Sequence, residues 1–359
     1  MEASRGPSPR RTRTAGSFRA AVYGVVVIVT STLLTAAALE LALRTYHRKL
    51  LDFTSLTLGP TPNAPAKYDP LLGWIPRPGH FDQKTWSWNA TEASVRSNGR
   101  IPPPTTRPIV AVGDSFTFGD EVDDQETWPA QLESMSRRWV VNAGVFAYGL
   151  DQAYLRAVKF IEASNPTDVV LAFISNDIRR TEFSYYQRRG KPYFVHGRGG
   201  VELRNVPVPE ERIAGRPLPH LNRLLGYSYL ANAVLSRTPL RGWYAGPDEV
   251  RQHTDGDRVS IELLTRLSEL GRSRDVRVLI ATFATDGKIG GNARLQDIVA
   301  RLRHNGVQVA DLAAEMLRMP EPEFRRRFRD RGHYGPELNT WVARRLAALL
   351  EDDGGRRSR

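Results

Sequence analysis

The sequence predicts an α/β protein: a sandwich built on a mainly parallel sheet and preceded by one N-terminal transmembrane helix. From residue 108 onward, short apolar runs typical of buried strands alternate with longer segments of helical periodicity, as in βαβ units. A long uncharged stretch near the N-terminus predicts the membrane helix. The predicted strands are Ile109–Val112, Trp139–Val141, Val169–Ile174, Val276–Ala281 and Val307–Ala310. The predicted helices cover about residues 126–137, 151–164, 257–272, 292–304 and 337–351.

The composition is that of a globular protein. Apolar residues make up 41% of the 359 positions and charged residues 25%, so a sizeable core can form. The absence of cysteine excludes disulfides, thiolate metal sites and a cysteine nucleophile. The net charge of +12 is compatible with nucleic-acid binding, but much of the excess lies in arginine-rich ends and no nucleic-acid-binding signature accompanies it. We therefore expect no nucleic-acid partner.

The segment Ala20–Leu39 carries no charged side chain. Twenty helical residues rise about 30 Å, which is the thickness of a bilayer core, so we expect a transmembrane signal-anchor helix over residues 20–42. More arginines precede this run than follow it, and the positive-inside rule then places the N-terminus in the cytoplasm and the rest of the chain outside. The alternative is a signal peptide cleaved at the small residues Ala36-Ala37-Ala38. The length of the apolar run favours the uncleaved anchor.

The remaining segments differ in composition. We expect a basic cytoplasmic tail over residues 1–19 and a juxtamembrane linker with a tryptophan-containing lead-in over 43–104. The α/β domain is predicted over 105–352, followed by a disordered tail over 353–359. Within the domain, residues 180–250 break the alternation and predict an insertion. This insertion is a lid, a partner surface or a decoration without function.

A candidate nucleophile stands directly after the first strand of the domain. Ser115 follows Gly113-Asp114 on the bend between a predicted strand and a helix, where a hydroxyl is exposed beside backbone N–H groups. A serine needs a base within hydrogen-bond reach, and that base needs a group that orients it. Far downstream, His333 is the natural base, and Asp330, three residues earlier, is the candidate for orienting its ring.

Two further polar positions also follow predicted strands. Gly144 comes after the second strand and Asn176 after the third. Ligands of parallel sheets bind at the carboxyl ends of the strands, so we expect both positions to lie near Ser115. The backbone N–H groups of Ser115 and Gly144, with the side-chain amide of Asn176, are candidate donors to the oxyanion of an attacked carbonyl.

Taken in order, Gly113-Asp114-Ser115, Gly144, Asn176-Asp177 and Asp330-x-x-His333 resemble the four blocks of the SGNH (GDSL-type) hydrolase family. The resemblance covers about residues 105 to 350 and implies a flavodoxin-like, three-layer α/β/α fold with ester hydrolysis by a serine, a histidine and an aspartate. One departure is that the family's third block usually reads Gly-x-Asn-Asp, whereas Phe173-Ile174-Ser175 precedes the asparagine here. This departure bears on the shape of the local loop. The roles that the resemblance implies are nucleophile for Ser115, base for His333, orienting acid for Asp330, oxyanion donors for Ser115, Gly144 and Asn176, and structural support for Asp114 and Asp177.

These observations predict a membrane-anchored, extracytoplasmic serine esterase that hydrolyses O-acyl esters, O-acetyl groups among them. Its expected partners are the membrane, through residues 20–42, and an acyl-ester substrate such as a cell-envelope polysaccharide or lipid. The alternatives are an O-acyltransferase that uses the same triad and a non-catalytic envelope binding protein on the same fold. We expect no cofactor and no metal, because the histidines lack metal-ligand spacing and the sequence contains no phosphate-binding loop.

Overall fold

A computed structural model of the chain describes residues 15–47, 50, 65–99, 107–187, 189–210, 224–240, 249–285 and 293–357. The chain divides into two compact units. The helical unit comprises Met1–Leu58 and Arg216–Gly246, and the α/β unit comprises Gly59–Gly215 and Pro247–Arg359. The lead-in therefore belongs to the α/β unit, while part of the insertion belongs to the helical unit. Most of the basic tail that we expected over residues 1–19 lies outside the described residues.

The secondary structure follows the predicted alternation. The helices are α1 (Ala15–Tyr46), α2 (Ser115–Phe118), α3 (Trp128–Ser136), α4 (Leu150–Ser164), α5 (Ser175–Arg180), α6 (Tyr229–Leu235), α7 (Gly256–Ser273), α8 (Ala293–His304), α9 (Leu312–Met316), α10 (Glu321–Arg326) and α11 (Pro336–Arg357). The strands are β1 (Ala66–Asp69), β2 (Gly73–Pro76), β3 (Gly79–Asp82), β4 (Ser87–Ala90), β5 (Ile109–Val112), β6 (Val140–Asn142), β7 (Asp168–Ile174), β8 (Phe183–Tyr186), β9 (Arg189–Gly190), β10 (Tyr193–Gly197), β11 (Gly200–Arg204), β12 (Val250–Arg251), β13 (Arg277–Phe283) and β14 (Val309–Ala310). Helix α11 extends to Arg357, beyond residue 352 where we expected the domain to end.

The central sheet has five strands in the order β14-β13-β7-β5-β6, and every neighbouring pair in it is parallel. Numbered along the chain, these strands stand in the order 2-1-3-4-5, which is the flavodoxin-like arrangement. From β5 the chain first adds β6 on one side of the sheet and then crosses over to add β7 on the other side of β5. The point between β5 and β7 is therefore the topological switch point. Ligands of such folds bind at this switch point, beside the carboxyl ends of the strands. The predicted fold class is confirmed.

Both faces of the sheet are covered by helices. Strands β5, β7 and β13 are buried at every position, and a strand covered on both faces is apolar throughout rather than alternating. Helix α3 packs against α11, and α4 packs against α7. These two pairs form the outer layers of the three-layer sandwich.

The lead-in consists of two antiparallel hairpins, β1–β2 and β3–β4. Trp74 of the first hairpin is buried, and its indole N–H donates to the carbonyl of Phe146 at 3.0 Å. The hydroxyl of Tyr148 donates in return to the carbonyl of Trp74 at 2.6 Å. Beyond the second hairpin, Arg96 forms an isolated antiparallel bridge with Asn142 at the end of β6. The lead-in is therefore fixed to β6, the edge strand of the central sheet next to β5.

A buried ion pair secures the first part of the insertion to the α/β unit. The ammonium of Lys191 donates to the carboxylate of Asp151 on α4, and neither side chain is exposed to solvent. The ammonium also donates to the carbonyls of Arg180, Phe183 and Pro192. Because the buried cation has both a counter-charge and carbonyl acceptors, its desolvation is offset.

The helical unit contains a long apolar helix. Helix α1 contains a segment of mean hydropathy 2.1 in which the described residues bury no position. In the part of the chain that the structure describes, α1 is the one helix that is long and apolar enough to cross a membrane. It extends to Tyr46, beyond residue 42 where we expected the span to end. The short helix α6 packs against it.

Candidate active site

The serine hydroxyl lies at the start of α2, on the tight turn that follows β5. Asp114 caps this helix: its carboxylate accepts a hydrogen bond from the N–H of Phe116 at 2.9 Å. Gly113 is required by space, because a Cβ at this position would lie 2.3 Å from the hydroxyl oxygen of Thr117 and 2.4 Å from the carbonyl oxygen of Ala172. The turn therefore presents Ser115 at the carboxyl end of β5.

A buried arginine from the lead-in stabilises this turn through hydrogen bonds to its backbone. The Arg96 guanidinium donates to the carbonyls of Phe118 at 2.9 Å and Val122 at 2.6 Å, and also to the carbonyl of Gly119. Its Nε–H donates to Asp124 at 2.8 Å. These carbonyls belong to the end of α2 and to the loop that follows, where no helical partner is available to them. Arg96 thereby fixes the segment that carries Ser115.

The structure brings Ser115 and His333 together although they lie far apart in sequence. The hydroxyl oxygen of Ser115 is 2.9 Å from Nε2 of His333. The other ring nitrogen, Nδ1, is 2.9 Å from a carboxylate oxygen of Glu121. A carboxylate only accepts, so Nδ1 carries the proton and Nε2 is free to accept from the serine hydroxyl. This chain of contacts has the arrangement of a nucleophile, a base and an orienting acid.

Glu121 fixes more than the tautomer of the ring. Its carboxylate also accepts from the backbone N–H of Arg331 at 2.9 Å and of His333 at 3.2 Å. The side chain is buried, and its backbone has φ of +72°, in the left-handed region that non-glycine residues seldom adopt. Such conformations occur where the surrounding structure demands them, often at functional sites. Glu121 thus joins the loop after α2 to the loop that carries His333.

The structure does not place Asp330 beside the ring of His333, where we expected it to act as the orienting acid. Asp330 is exposed, and both nitrogens of the His333 ring have other partners. Glu121 occupies the position beside Nδ1 that we had expected Asp330 to fill. The sequence contained one signal for this: the acidic pair Asp120-Glu121 follows the nucleophile turn within a few residues.

The backbone N–H of Ser115 lies at the first residue of α2, where no intrahelical acceptor is available to it. It donates no hydrogen bond within the described part of the chain, which leaves it available to a substrate oxygen. Gly144 is buried, and a Cβ there would lie 2.3 Å from the backbone nitrogen of Phe118. Its own N–H, however, donates to the side chain of Asn142 at 3.2 Å. Gly144 therefore allows the close approach of two backbones beside the nucleophile rather than presenting an unused donor.

Asn176 does not reach the serine. Its side chain is exposed and accepts from Nε of Arg179 at 3.1 Å, and it lines a different cavity from that of Ser115. On α5, Asp177 and Arg180 are buried and form an ion pair at i and i+3, whereas the side chain of Asn176 faces solvent.

Arg180 occupies the cavity in place of the asparagine. Its Nη1 lies 2.7 Å from the carboxylate of Asp177 and 3.5 Å from that of Asp114, and it donates to the carbonyl of Tyr148 at 2.9 Å. Burial raises the pKa of both carboxyl groups, and the Arg180 cation opposes the rise. The structural support expected of Asp114 and Asp177 thus takes the form of a shared arginine behind the nucleophile turn.

A second carboxylate lies beside the reacting atoms. Asp120 is 3.8 Å from Nε2 of His333, and its backbone N–H donates to the carbonyl of Ser115 at 3.0 Å. Burial raises the pKa of Asp120 to about 6, and the attraction of the protonated form of His333 and of the Arg96 cation opposes the rise. Sequence reasoning missed Asp120 and Arg180 as well as Glu121.

A cavity of about 370 Å³ lies over Ser115 and His333. Trp86, Trp88 and Phe146 line it with aromatic surface, while Asp120, Arg180 and Arg331 line it with charge. A mixed lining of this kind suits a ligand with both apolar and polar portions. Among the described residues, no group of three or more His, Asp and Glu side chains converges to hold a metal ion.

Comparison with known proteins finds similar solved structures. No protein-family model matches the chain, and no curated protein matches its sequence. A proposed lipolytic protein of the G-D-S-L family from Desulfitobacterium hafniense is 13% identical with a TM-score of 0.40, covering 68% of this chain and 99% of that one. A lipase/acylhydrolase from Enterococcus faecalis is 15% identical with a TM-score of 0.36, covering 68% and 97%. A catalytic mutant of an acetylxylan esterase from Geobacillus stearothermophilus is 14% identical with a TM-score of 0.37, covering 70% and 96%.

These solved structures are similar to this chain over about two thirds of its length. The strand order of the central sheet is the flavodoxin-like order that the sequence analysis led us to expect. The chemistry proposed below depends on the geometry of this chain's own residues.

Proposed function

We propose that this chain is a membrane-anchored serine esterase of the SGNH type. The observation that carries the proposal is the hydrogen-bonded series from Ser115 through His333 to Glu121, with both distances at 2.9 Å, at the base of a cavity. In this proposal Ser115 is the nucleophile and His333 the general base. Glu121, rather than Asp330, is the residue that positions the ring.

The reaction follows from this arrangement. As the oxygen of Ser115 attacks the ester carbonyl, its proton passes to Nε2 of His333 and the carbonyl π electrons move to the oxygen. The backbone N–H of Ser115 donates to that oxyanion, and the Arg180 guanidinium on the cavity wall adds a fixed positive charge. The intermediate then collapses, and the departing alkoxide takes the proton from Nε2. Water next attacks the acyl-serine with His333 again as base, which releases the acid and restores the hydroxyl.

The substrate that we propose is an O-acyl ester on a cell-envelope polysaccharide or lipid. A cavity of about 370 Å³ holds a short acyl group with part of the alcohol that carries it. Its aromatic wall offers contact to apolar faces, and its charged wall offers partners to hydroxyl groups. Helix α1 supports anchoring in the membrane, and the arginine-rich N-terminus supports a cytoplasmic start with the α/β unit outside.

Turnover of simple esters tests the proposal. The full chain, purified in detergent, is incubated with p-nitrophenyl acetate and with longer p-nitrophenyl esters, beside a Ser115→Ala variant. We expect release of p-nitrophenol by the native chain and only background release by the variant. Equal background rates from both would refute the esterase. Protease treatment of intact cells tests the topology separately, since an extracytoplasmic α/β unit is degraded without lysis.

A further inference from the structure

The insertion contains a segment that packs on the membrane helix. We call residues 224–240 the return segment; it includes α6 and belongs to the helical unit. Residues 224–236 carry no charged side chain, and Tyr227 and Tyr229 are the aromatic residues among them. Arg237 follows directly. An uncharged run of this length is too short to span a bilayer and is typical of a buried core helix or of an interfacial or re-entrant segment. The exposure of Leu224 and Val234 disagrees with a buried core helix.

The contact with α1 is made through Glu40, the first charged side chain after the apolar run. Its carboxylate accepts from the hydroxyl of Ser228 at 2.9 Å and from the backbone N–H groups of Tyr229 at 3.1 Å and Leu230 at 2.8 Å. The carboxylate is thus hydrogen-bonded by the first turn of α6. The return segment therefore meets α1 at the level where the hydrocarbon-spanning part of that helix ends.

A second residue of α1 strengthens this contact. Arg44 donates to the carbonyl of Tyr227 at 2.7 Å and pairs with Glu40 at 2.7 Å. Its guanidinium lies 5.2 Å from the centre of the Tyr229 ring, within the range of a cation–π contact. One turn of α1 thus holds the N-terminal end of α6 through charge, backbone and ring contacts.

The return segment also has apolar side chains that the described residues leave more than half exposed. Leu224 is 71% exposed, Val234 53% and Leu240 54%. On the adjoining helix, apolar side chains such as Val26 and Ile28 are exposed in the same way. The return segment packs against the helix proposed to cross the bilayer. Lipid that surrounds this helix would therefore also contact the exposed apolar side chains of the return segment.

We propose that the return segment is a second membrane contact, lying in the interface of the lipid bilayer where α1 leaves it. The inference rests on the membrane anchoring proposed above. Tyrosines favour the headgroup level of a membrane, and an arginine at the end of an apolar segment reaches the lipid phosphates. The chain enters the return segment from the α/β unit and goes back to it afterwards. The α/β unit would then be joined to the membrane by three chain connections rather than one.

Single-cysteine labelling tests this proposal cleanly, because the chain contains no cysteine. Full-length variants Leu224→Cys and Val234→Cys are labelled with a nitroxide and reconstituted in phosphatidylcholine–phosphatidylglycerol vesicles. Val26→Cys on α1 serves as the bilayer reference and Asp297→Cys, at a side chain 57% exposed on α8, as the water reference. Power-saturation measurements then compare collisions with oxygen, which is enriched in lipid, and with a water-soluble nickel complex.

We expect the oxygen-to-nickel ratio at positions 224 and 234 to exceed that at 297 several-fold and to stay below that at 26, as for side chains in the interface. Ratios at 224 and 234 equal to the ratio at 297, with 26 still in the lipid, would overturn the inference and leave the anchor intact. If position 26 also behaves as water-exposed, the anchor fails and the inference falls with it. Turnover of p-nitrophenyl acetate by the same vesicles reports separately on the esterase, since none of these positions belongs to the catalytic site.

Discussion

Exchange of Glu121 for glutamine separates the observed acid partner from the one expected from sequence. In the native chain, the Glu121 carboxylate accepts a hydrogen bond from the Nδ1–H of His333 at 2.9 Å. A glutamine side chain keeps the shape and an oxygen acceptor, but it can present its amide N–H to Nδ1. The ring proton would then move to Nε2, which can no longer accept the proton of Ser115.

The expected loss of activity follows from comparable substitutions of an orienting acid. The corresponding carboxylate-to-amide change in a serine-protease triad lowers kcat about 10⁴-fold, and a positioned general base contributes about 10²–10⁴-fold. We expect Glu121→Gln to lower kcat/KM by roughly 10²- to 10⁴-fold, which is about 3–5 kcal/mol in the barrier. KM should change little, because Glu121 is buried behind the His333 ring and is not part of the cavity wall.

The matched control is Asp330→Asn, which removes the exposed carboxylate three residues before His333. It should keep kcat/KM for p-nitrophenyl acetate close to the native value. Circular dichroism and thermal melts of both variants establish that they fold. A native rate for Glu121→Gln together with a large loss for Asp330→Asn would refute the reasoning and restore Asp330 as the orienting acid.

Three further predictions concern stability, pH and the oxyanion. Lys191→Met should cost about 3–5 kcal/mol in denaturant unfolding because it leaves Asp151 buried without its cation, whereas Lys159→Met, at a lysine 56% exposed, should cost under about 1 kcal/mol; equal costs would contradict the buried pair. Burial raises the pKa of Asp120 from 3.8 in the unfolded chain to about 6 in the folded chain. The contribution of Asp120 to the free energy of unfolding is therefore highest below pH 3.8, where Asp120 is neutral in both states, and it falls as the pH rises through about 6. Asp120→Asn should therefore gain up to about 3 kcal/mol over the native chain between pH ~4 and pH ~8 in urea unfolding, and a pH-independent difference would argue against it. Asn176→Ala should leave kcat nearly unchanged, whereas loss of an oxyanion donor lowers kcat about 10²–10³-fold; a loss of that size would place Asn176 in the cavity during turnover.

The fold was readable from sequence because its signals are local. The apolar run Ile109–Val112 has the same bounds in the structure as in the prediction, since a strand buried on both faces needs an unbroken apolar run and Gly113 ends it. The position of Ser115 after that strand was equally readable. His333 could be chosen because a serine requires a base, a matter of chemistry rather than of distance along the chain.

The acid partner and the asparagine could not be placed in the same way. Glu121 meets His333 across 212 positions of sequence, and its backbone must take a left-handed conformation, which no local pattern of residues predicts. Asn176 does follow a strand, as expected, but its side chain is exposed. The residue of α5 that lines the cavity is Arg180, which contacts Asp114 and Tyr148 from other elements. Contacts between distant parts of the chain are not readable from a local pattern of residues.

The most direct test of the proposed chemistry is to identify the atom that a serine-directed reagent modifies. The full chain is treated with a fluorophosphonate, digested and analysed by mass spectrometry, beside a His333→Ala variant. We expect a single phosphonyl group on the peptide that contains Ser115, formed rapidly in the native chain and very slowly without the imidazole. A native chain that stays unlabelled at Ser115, or that is labelled as fast after removal of His333, would contradict it.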